Sequence, residues 1–258
     1  PLLGGLLDAV TDWRGLFVFL AAIGAAILVV TLRMFPETLA PEERTAGGFA
    51  HTVADFRTLL RDRAFVGAVL NQGFLYAALF AYLAGSTFVL QDVYGLSPLG
   101  YALAFGLNSA GFMTLGHLAG RSAERWSIPG TLTAGVLTSG VGAIGLLVAG
   151  LTALPLWVVI VSLFLLAGGV AISSPPATTL ALADYPRMAG TASSLLGMVR
   201  FGFGGIAAPL VGVAGAISIL PLGIVTTVSV LLAGASFLFL ARGRTASAVR
   251  SPQVGSAS

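Results

Sequence analysis

Apolar residues run through this chain in long unbroken blocks separated by short polar gaps. Seven blocks fall near 13–34, 64–90, 99–120, 129–151, 155–175, 188–212 and 219–241. Each suffices to cross a hydrocarbon core of about 30 Å, which takes about 20 helical residues. The runs are continuous rather than alternating and outlast barrel strands of about 9–11 residues, so the pattern predicts transmembrane α-helices. A shorter run, 1–7, stops at Asp8. It is too short to cross and lacks the basic n-region and cleavage site of a signal peptide. It reads as the end of a membrane helix that begins upstream, which makes the chain a fragment.

The longest polar gap, 35–63, is the expected boundary between halves. Within it Phe49, Val53, Phe56 and Leu60 recur at three- and four-residue spacing beside Arg57, Arg61 and Arg63. That periodicity predicts an amphipathic helix on the cytoplasmic surface. The organisation is therefore an end of a helix at 1–7, a short outer loop and helix at 8–34, and a cytoplasmic loop at 35–63. A six-helix bundle at 64–241 follows, and then a tail at 242–258 whose serine, alanine and glycine content predicts disorder.

Charge orients these elements. Every basic residue is arginine, and eleven of the thirteen lie in every second gap. The gaps at 91–98, 150–154 and 212–220 carry none. Arginine-rich loops are retained on the cytoplasmic side, so the 35–63 loop, the turns at 121–128 and 176–187 and the tail share that side. Arg14 falls on the opposite side, and Arg200 falls inside an apolar block. Composition agrees: 57% apolar and 9% charged residues with a mean hydropathy of +0.97 describe a protein dissolved in lipid. The pI of 9.8 reflects arginines that flank apolar runs, which suits anionic headgroups and not nucleic acid. Without cysteine there is no disulfide, thiolate nucleophile or Cys-ligated metal.

Several segments then carry a resemblance. Pro1-Leu2-Leu3-Gly4-Gly5 is similar to the closing positions of the glycine- and proline-rich antiporter motif in the fifth helix of major facilitator drug exporters. Trp13-Arg14 with Phe17 resembles the start of their sixth helix and Pro36-Glu37-Thr38-Leu39 its end. The segment from Phe80 to Gln91, with Tyr94-Gly95-Leu96-Ser97, resembles the seventh helix of the bicyclomycin-resistance (Bcr/CflA) subfamily, and Gly190-Thr191-Ala192-Ser193-Ser194 the opening of its eleventh. Gly116, Gly120 and Arg121 echo the Gly-x-x-x-Asp-Arg motif after the eighth helix, with Gly120 where the acid would stand.

The resemblance covers residues 1 to about 241. It implies an all-α membrane protein: helices six to twelve of the major facilitator fold, with seven, eight, ten and eleven lining a pathway. It further implies proton-coupled multidrug efflux by alternating access in a bacterial inner membrane, with the C-terminus cytoplasmic. Lipophilic or cationic small molecules would be the substrates, the proton gradient would replace any cofactor, and the partners would be the bilayer and the absent N-terminal half. A monomer is expected. A metabolite or sugar carrier of the same superfamily and a non-transporting membrane sensor or structural protein remain open.

Candidate residues follow from cost. A central arginine costs about 2.5–3.5 kcal/mol on insertion scales, so Arg200, near the middle of its block, needs a polar cavity or a partner. No acid falls deep within a span, so an acid in the absent half, a substrate group, water or free carbonyls would satisfy it, or it pins packing or snorkels. Gln72, Tyr76 and Phe80 are expected on one face, as are Phe105, Asn108 and Phe112 on the next helix. Aromatic and amide groups together suit a large, adaptable pocket, and Asn, Gln and Tyr equally serve interhelical hydrogen bonds in membrane helices. His117 reads as a helix contact ahead of a proton relay, and Pro175-Pro176 as ending or bending its helix, with termination ahead of a gating hinge. Asp8 and Asp12 read as solvated charges. No nucleophile elbow, metal pair or phosphate loop occurs, so no enzyme is expected.

Overall fold

The computed structural model describes residues 11–35, 48–125, 127–213 and 218–241. The expectations for Pro1, Gly4, Gly5, Asp8, Pro36–Leu39 and the 242–258 tail lie outside these residues. The described residues form helices and connections only. They are α1 (Trp13–Met34), α2 (Phe49–Arg61), α3 (Arg63–Thr87), α4 (Pro98–Arg125), α5 (Ile128–Thr152), α6 (Leu156–Leu182), α7 (Ala189–Val213) and α8 (Leu220–Ser236). Wider π-turns extend α3 over Phe88–Val93 and α8 over Phe237–Ala241. Among the described residues, α1, α3 and α5 to α8 are long and apolar enough to cross a membrane. α4 has the length at 28 residues, but Asn108, Ser109 and His117 dilute its apolar character.

Local chemistry sets the boundaries. Asp12 is not merely solvated: it caps α1, its carboxylate accepting from Gly15 N–H at 3.1 Å. Arg14 lies beside it, 3.5 Å from the carboxylate and over the Trp13 ring. Asp62 caps α3, Ser97 caps α4 and Ser127 caps α5, each through its side-chain oxygen. One boundary departs from expectation: α6 does not end at Pro175-Pro176 but continues to Leu182. Prolines are tolerated in membrane helices where neighbouring groups compensate the lost donors, and here hydroxyls and an amide supply polar contacts on both sides of the pair.

The chain divides into two units, Pro1–His51 and Thr52–Ser258. The first contains α1. In the second, α3 packs against α7 and α8, while α6 packs against α4 and α5; α3 meets α6, and α5 meets α8. Exchanging α3–α4–α5 for α6–α7–α8 maps this set of contacts onto itself, as expected for a pair of three-helix repeats. Leu75, Ala78, Leu146, Leu163, Leu166 and Leu222 form the buried centre. Outside, Leu137, Val141, Ile144, Val148 and Leu151 make an exposed apolar stripe along α5, a surface suited to lipid.

Small residues bring the backbones together. A Cβ on Gly142 would lie 2.4 Å from the Leu166 nitrogen, and one on Gly169 would lie 2.3 Å from the Ser139 nitrogen. Lipid offers no hydrophobic drive for helix association, so such close packing and interhelical hydrogen bonds take its place. Ser139 donates to the Leu166 carbonyl at 3.2 Å, Thr227 to Ala143 at 3.1 Å and Asn71 to Ala233 at 2.9 Å.

The connecting helix α2 is present, but its packed face differs from the predicted stripe. Leu59 is fully buried and Phe56 partly so, against Phe65, Ala181 and Leu195, whereas Val53 and Leu60 are exposed. The packed residues are one turn apart, and the local chemistry explains the rotation: Thr191 donates to Asp55 at 3.5 Å, and the Tyr185 hydroxyl donates to Asp62 just beyond the helix. These polar ties turn the Asp55–Leu59 face, not the Val53–Leu60 face, towards the bundle.

Gly142→Ala should therefore destabilise the protein by about 1–3 kcal/mol, the range for overpacking, because the obstructing atom is backbone and cannot rotate away. Gly24→Ala, where a Cβ meets nothing within 4 Å, is the control. Thermal unfolding of the detergent-purified protein should show a lowered midpoint for the first alone.

Candidate functional site

Arg200 stands eleven residues into α7, about 16 Å along its axis. Side chains on a helix lean towards its N-terminus, and the guanidinium reaches back to Thr178, four residues before the end of α6. Its Nη2 donates to Thr178 Oγ1 at 2.7 Å. Thr178 in turn donates to the Ser174 carbonyl at 2.8 Å, so its lone pair is oriented towards the arginine. The guanidinium carbon lies 5.0 Å from the centre of the Tyr76 ring, a cation–π contact. Nε is buried without a partner, and no carboxylate touches the group among the described residues. The charge is thus carried away from the middle of the helix, towards the end that α3 and α7 share as their start.

Aromatic residues flank this cation. Phe80, one turn beyond Tyr76, meets Phe201 edge-on at 5.9 Å. A Cβ on Gly204 would strike the Phe80 ring at 2.6 Å, so glycine there lets the ring lie flat against α7. Phe201 is 65% exposed and continues the face. Tyr76, Phe80 and Arg200 are thus brought together, with Thr178 as a member that sequence reasoning missed. Its signal was its place three residues after Pro175, where the expectation of a helix end hid it.

Gln72 does not share the partly exposed face of Tyr76. It is fully buried, and Nε2 donates to the Ser173 carbonyl of α6 at 3.2 Å. The reason is the α3–α6 crossing, which needs a donor there. On a helix, i and i+4 differ by about 40°, enough to put one residue in a helix crossing and the other at its edge.

A second cluster lies further along α3. Asn108 is 3% exposed, and its Nδ2 donates to the Tyr82 hydroxyl at 3.3 Å. Tyr82 and Phe105 stack with centroids 5.9 Å apart. With Phe112, Leu79 and Ala167 they line a cavity of about 240 Å³ between α3, α4 and α6. The expected stripe of Phe105, Asn108 and Phe112 does face one space, and Tyr82 is the member the sequence pattern missed. A larger, almost wholly apolar cleft of about 410 Å³ lies between α3, α7 and α8, lined by Phe74, Phe203 and Leu210 among others.

The motif residues at the end of α4 divide. A Cβ on Gly116 would sit 3.6 Å from Ala171, ordinary close contact with α6, whereas one on Gly120 would meet nothing within 4 Å. Of the two motif glycines, Gly116 alone makes a close helix contact. Arg121 and His117 are exposed, so His117 is not the packed contact it was expected to be. Among the described residues no cluster of His, Cys, Asp or Glu is arranged to hold a metal.

Comparison with known proteins agrees with this architecture. The family model of the Major Facilitator Superfamily matches residues 1–209. An uncharacterised MFS-type transporter, YdgK of Bacillus subtilis, is 30% identical over 95% of this chain and 61% of its own length. A bicyclomycin resistance protein homolog of Haemophilus influenzae is 24% identical over 82% of this chain and 53% of its own. The multidrug transporter MdfA of Yersinia pestis is 29% identical over 77% of this chain and 49% of its own. The chain thus spans about half to three-fifths of the length of these relatives.

Replacing Gln72 by Leu should remove the donor to Ser173 and cost about 0.5–1.5 kcal/mol, the net worth of one hydrogen bond, since the Ser173 carbonyl keeps its own helical donor. The thermal midpoint of the purified full-length protein should fall. Tyr76→Phe, which keeps the ring and removes only the hydroxyl, should leave it within about 0.5 kcal/mol.

Proposed function

The chain belongs to the Major Facilitator Superfamily, and we propose that the whole protein is a proton-coupled exporter of several unrelated lipophilic compounds, working by alternating access. The observation that carries this reading is Arg200, a cation with no carboxylate partner among the described residues, held over Tyr76 beside the Phe80–Phe201 pair. Aromatic faces bind ligands by area and tolerate many shapes. One charged donor then fixes orientation, favouring ligands with an acceptor or a negative group at that end. Names of relatives point the same way: a bicyclomycin resistance protein homolog and a multidrug transporter.

In this reading the six-helix half rocks against its N-terminal counterpart around the Arg200 face. The bundle contributes no intramembrane acid, so the coupling carboxylate belongs to the helices upstream, and cationic substrates would rely on it too. The energy source is the proton gradient and no cofactor is required. The protein is not an enzyme and has no nucleic-acid partner. It acts as a monomer in a bacterial inner membrane, and the arginine-bearing turns and the tail face the cytoplasm.

Full-length protein in proteoliposomes under an imposed pH gradient should move several chemically unrelated lipophilic compounds. Arg200→Gln and Arg200→Ala should lower transport of acceptor-bearing substrates about tenfold or more, the worth of a hydrogen bond to a charged group. Unchanged transport of every substrate with only reduced expression would assign Arg200 to structure. Neutralising the acids of the first five helices should abolish proton exchange, and exchange that survives would overturn the coupling scheme. A single saturable substrate would point instead to a metabolite carrier, and no flux at all to a non-transporting protein.

A further inference from the structure

The cavity between α3, α4 and α6 has a chemistry of its own. Tyr82 stands six residues beyond Tyr76 on α3, about 9 Å along the axis. The Arg200 cluster and this cavity therefore lie along one helix, on faces about 120° apart, and they offer opposite groups. The first presents a charged donor. In the second, Asn108 spends its amide N–H on the Tyr82 phenol, while Oδ1 is buried with no donor of its own. Asn71 and Gln72 also carry a free side-chain oxygen, but each anchors a neighbouring helix through a backbone carbonyl and lines neither cavity. Asn108 anchors no backbone. It bonds only another side chain, and both face the same space.

We infer that this cavity is a ligand subsite for a flat aromatic ring carrying an N–H or O–H donor. The donor would pair with Asn108 Oδ1, and the ring would lie among Phe105, Phe112 and the rim residue Met113. Three features fit. The volume of about 240 Å³ holds one ring system, below the 300–1,000 Å³ of pockets that enclose a whole drug-sized ligand. The stacked Tyr82–Phe105 pair, 15° from parallel, fixes the aromatic wall before anything binds. A buried acceptor without a partner favours a ligand that supplies the donor over an otherwise equal one that does not. The subsite would discriminate among substrates by a donor, while the Arg200 station selects for an acceptor. This inference rests on the exporter reading.

The test uses a neutral pair on one ring system, 7-amino-4-methylcoumarin and 7-dimethylamino-4-methylcoumarin, in which two methyl groups replace the N–H donors. Binding to purified full-length protein is followed by fluorescence. The amino probe should bind about tenfold more tightly, the scale of one hydrogen bond to a buried acceptor. Asn108→Leu, of the same branched shape, should erase the preference while leaving affinity for the dimethylamino probe within about twofold. Met113 is 74% exposed, so Met113→Trp can cap the cavity without disturbing the fold, and it should weaken the amino probe at least about fivefold. Equal binding of the two probes by the unaltered protein overturns the subsite. So does a preference that survives Asn108→Leu, or amino-probe binding unaffected by Met113→Trp. Absence of binding by either probe in a protein that still exports several drugs overturns the subsite alone, whereas absence of export overturns the exporter reading with it.

Discussion

Everything in this bundle depends on backbones approaching more closely than side chains would allow. Along α5 and α6 the contact is made by Gly135, Ser139 and Gly142 on one helix and Ser162, Leu166, Gly169 and Ser173 on the other. The spacing repeats at three and four residues, so it forms a seam down one face of each helix. A comparable contact fixes α8 on α5, where Gly223 lies against Leu147 and Gly150 against Leu220. Since lipid tails are as apolar as leucine, adding bulk to these seams would gain no hydrophobic energy and would lose dispersion contact and hydrogen bonds. The seams hold α6 in place, and α6 presents Thr178 to Arg200.

Against that rigid frame, polar groups are few and their placement can be followed one by one. Asn71 and Gln72 are adjacent in sequence but point to different neighbours, α8 and α6, so one turn of α3 is tied on two sides. Thr226 and Ser236 instead return their hydroxyls to their own helix. The first kind of bond fixes one helix against another, while the second only hides a donor. Arg200 belongs to neither class. Its hydroxyl partner is neutral, its aromatic partner is polarisable, and its Nε is left over. A cation held this way is positioned but not neutralised, which is the condition for it to act on something else.

The elements were legible because hydrophobic length is a strong signal in a membrane protein: the predicted and observed starts of α1, α3 and α5 agree within a residue. The all-helical class and the Trp13 start of α1 followed from the same signal and from the resemblance. What the pattern left open was which residues of one face a helix crossing would seal. Gln72 and Tyr76 share a face by periodicity, but the width of the α3–α6 contact decides which of them is sealed. The Phe49–Val53–Phe56–Leu60 stripe is a real apolar repeat, but Asp55 and Asp62 found partners in Thr191 and Tyr185 and turned the helix. Polar contacts more than a hundred residues apart leave no periodic trace in a sequence.

The misread proline pair explains more than the end of a helix. Pro175 and Pro176 have no N–H, so the carbonyls of Ala171 and Ile172 lose their usual helical donors. Polar and small groups gather around this same stretch. Gly116 packs beside the Ala171 carbonyl, Gln72 donates to Ser173, Thr178 donates to Ser174 and Thr179 to Pro175. Arg200 attaches to the same segment through Thr178. Three helices thus send a contact to one weakened part of a fourth. Loss of regular backbone bonding at a helix interior is tolerated in a bilayer only where such contacts surround it or where it borders a polar cavity. The first condition is met here, and it ties the position of the cation to the prolines. If α6 ended at Pro175, as its sequence first suggested, Thr178 would leave the helix and Arg200 would lose the hydroxyl that holds it over Tyr76.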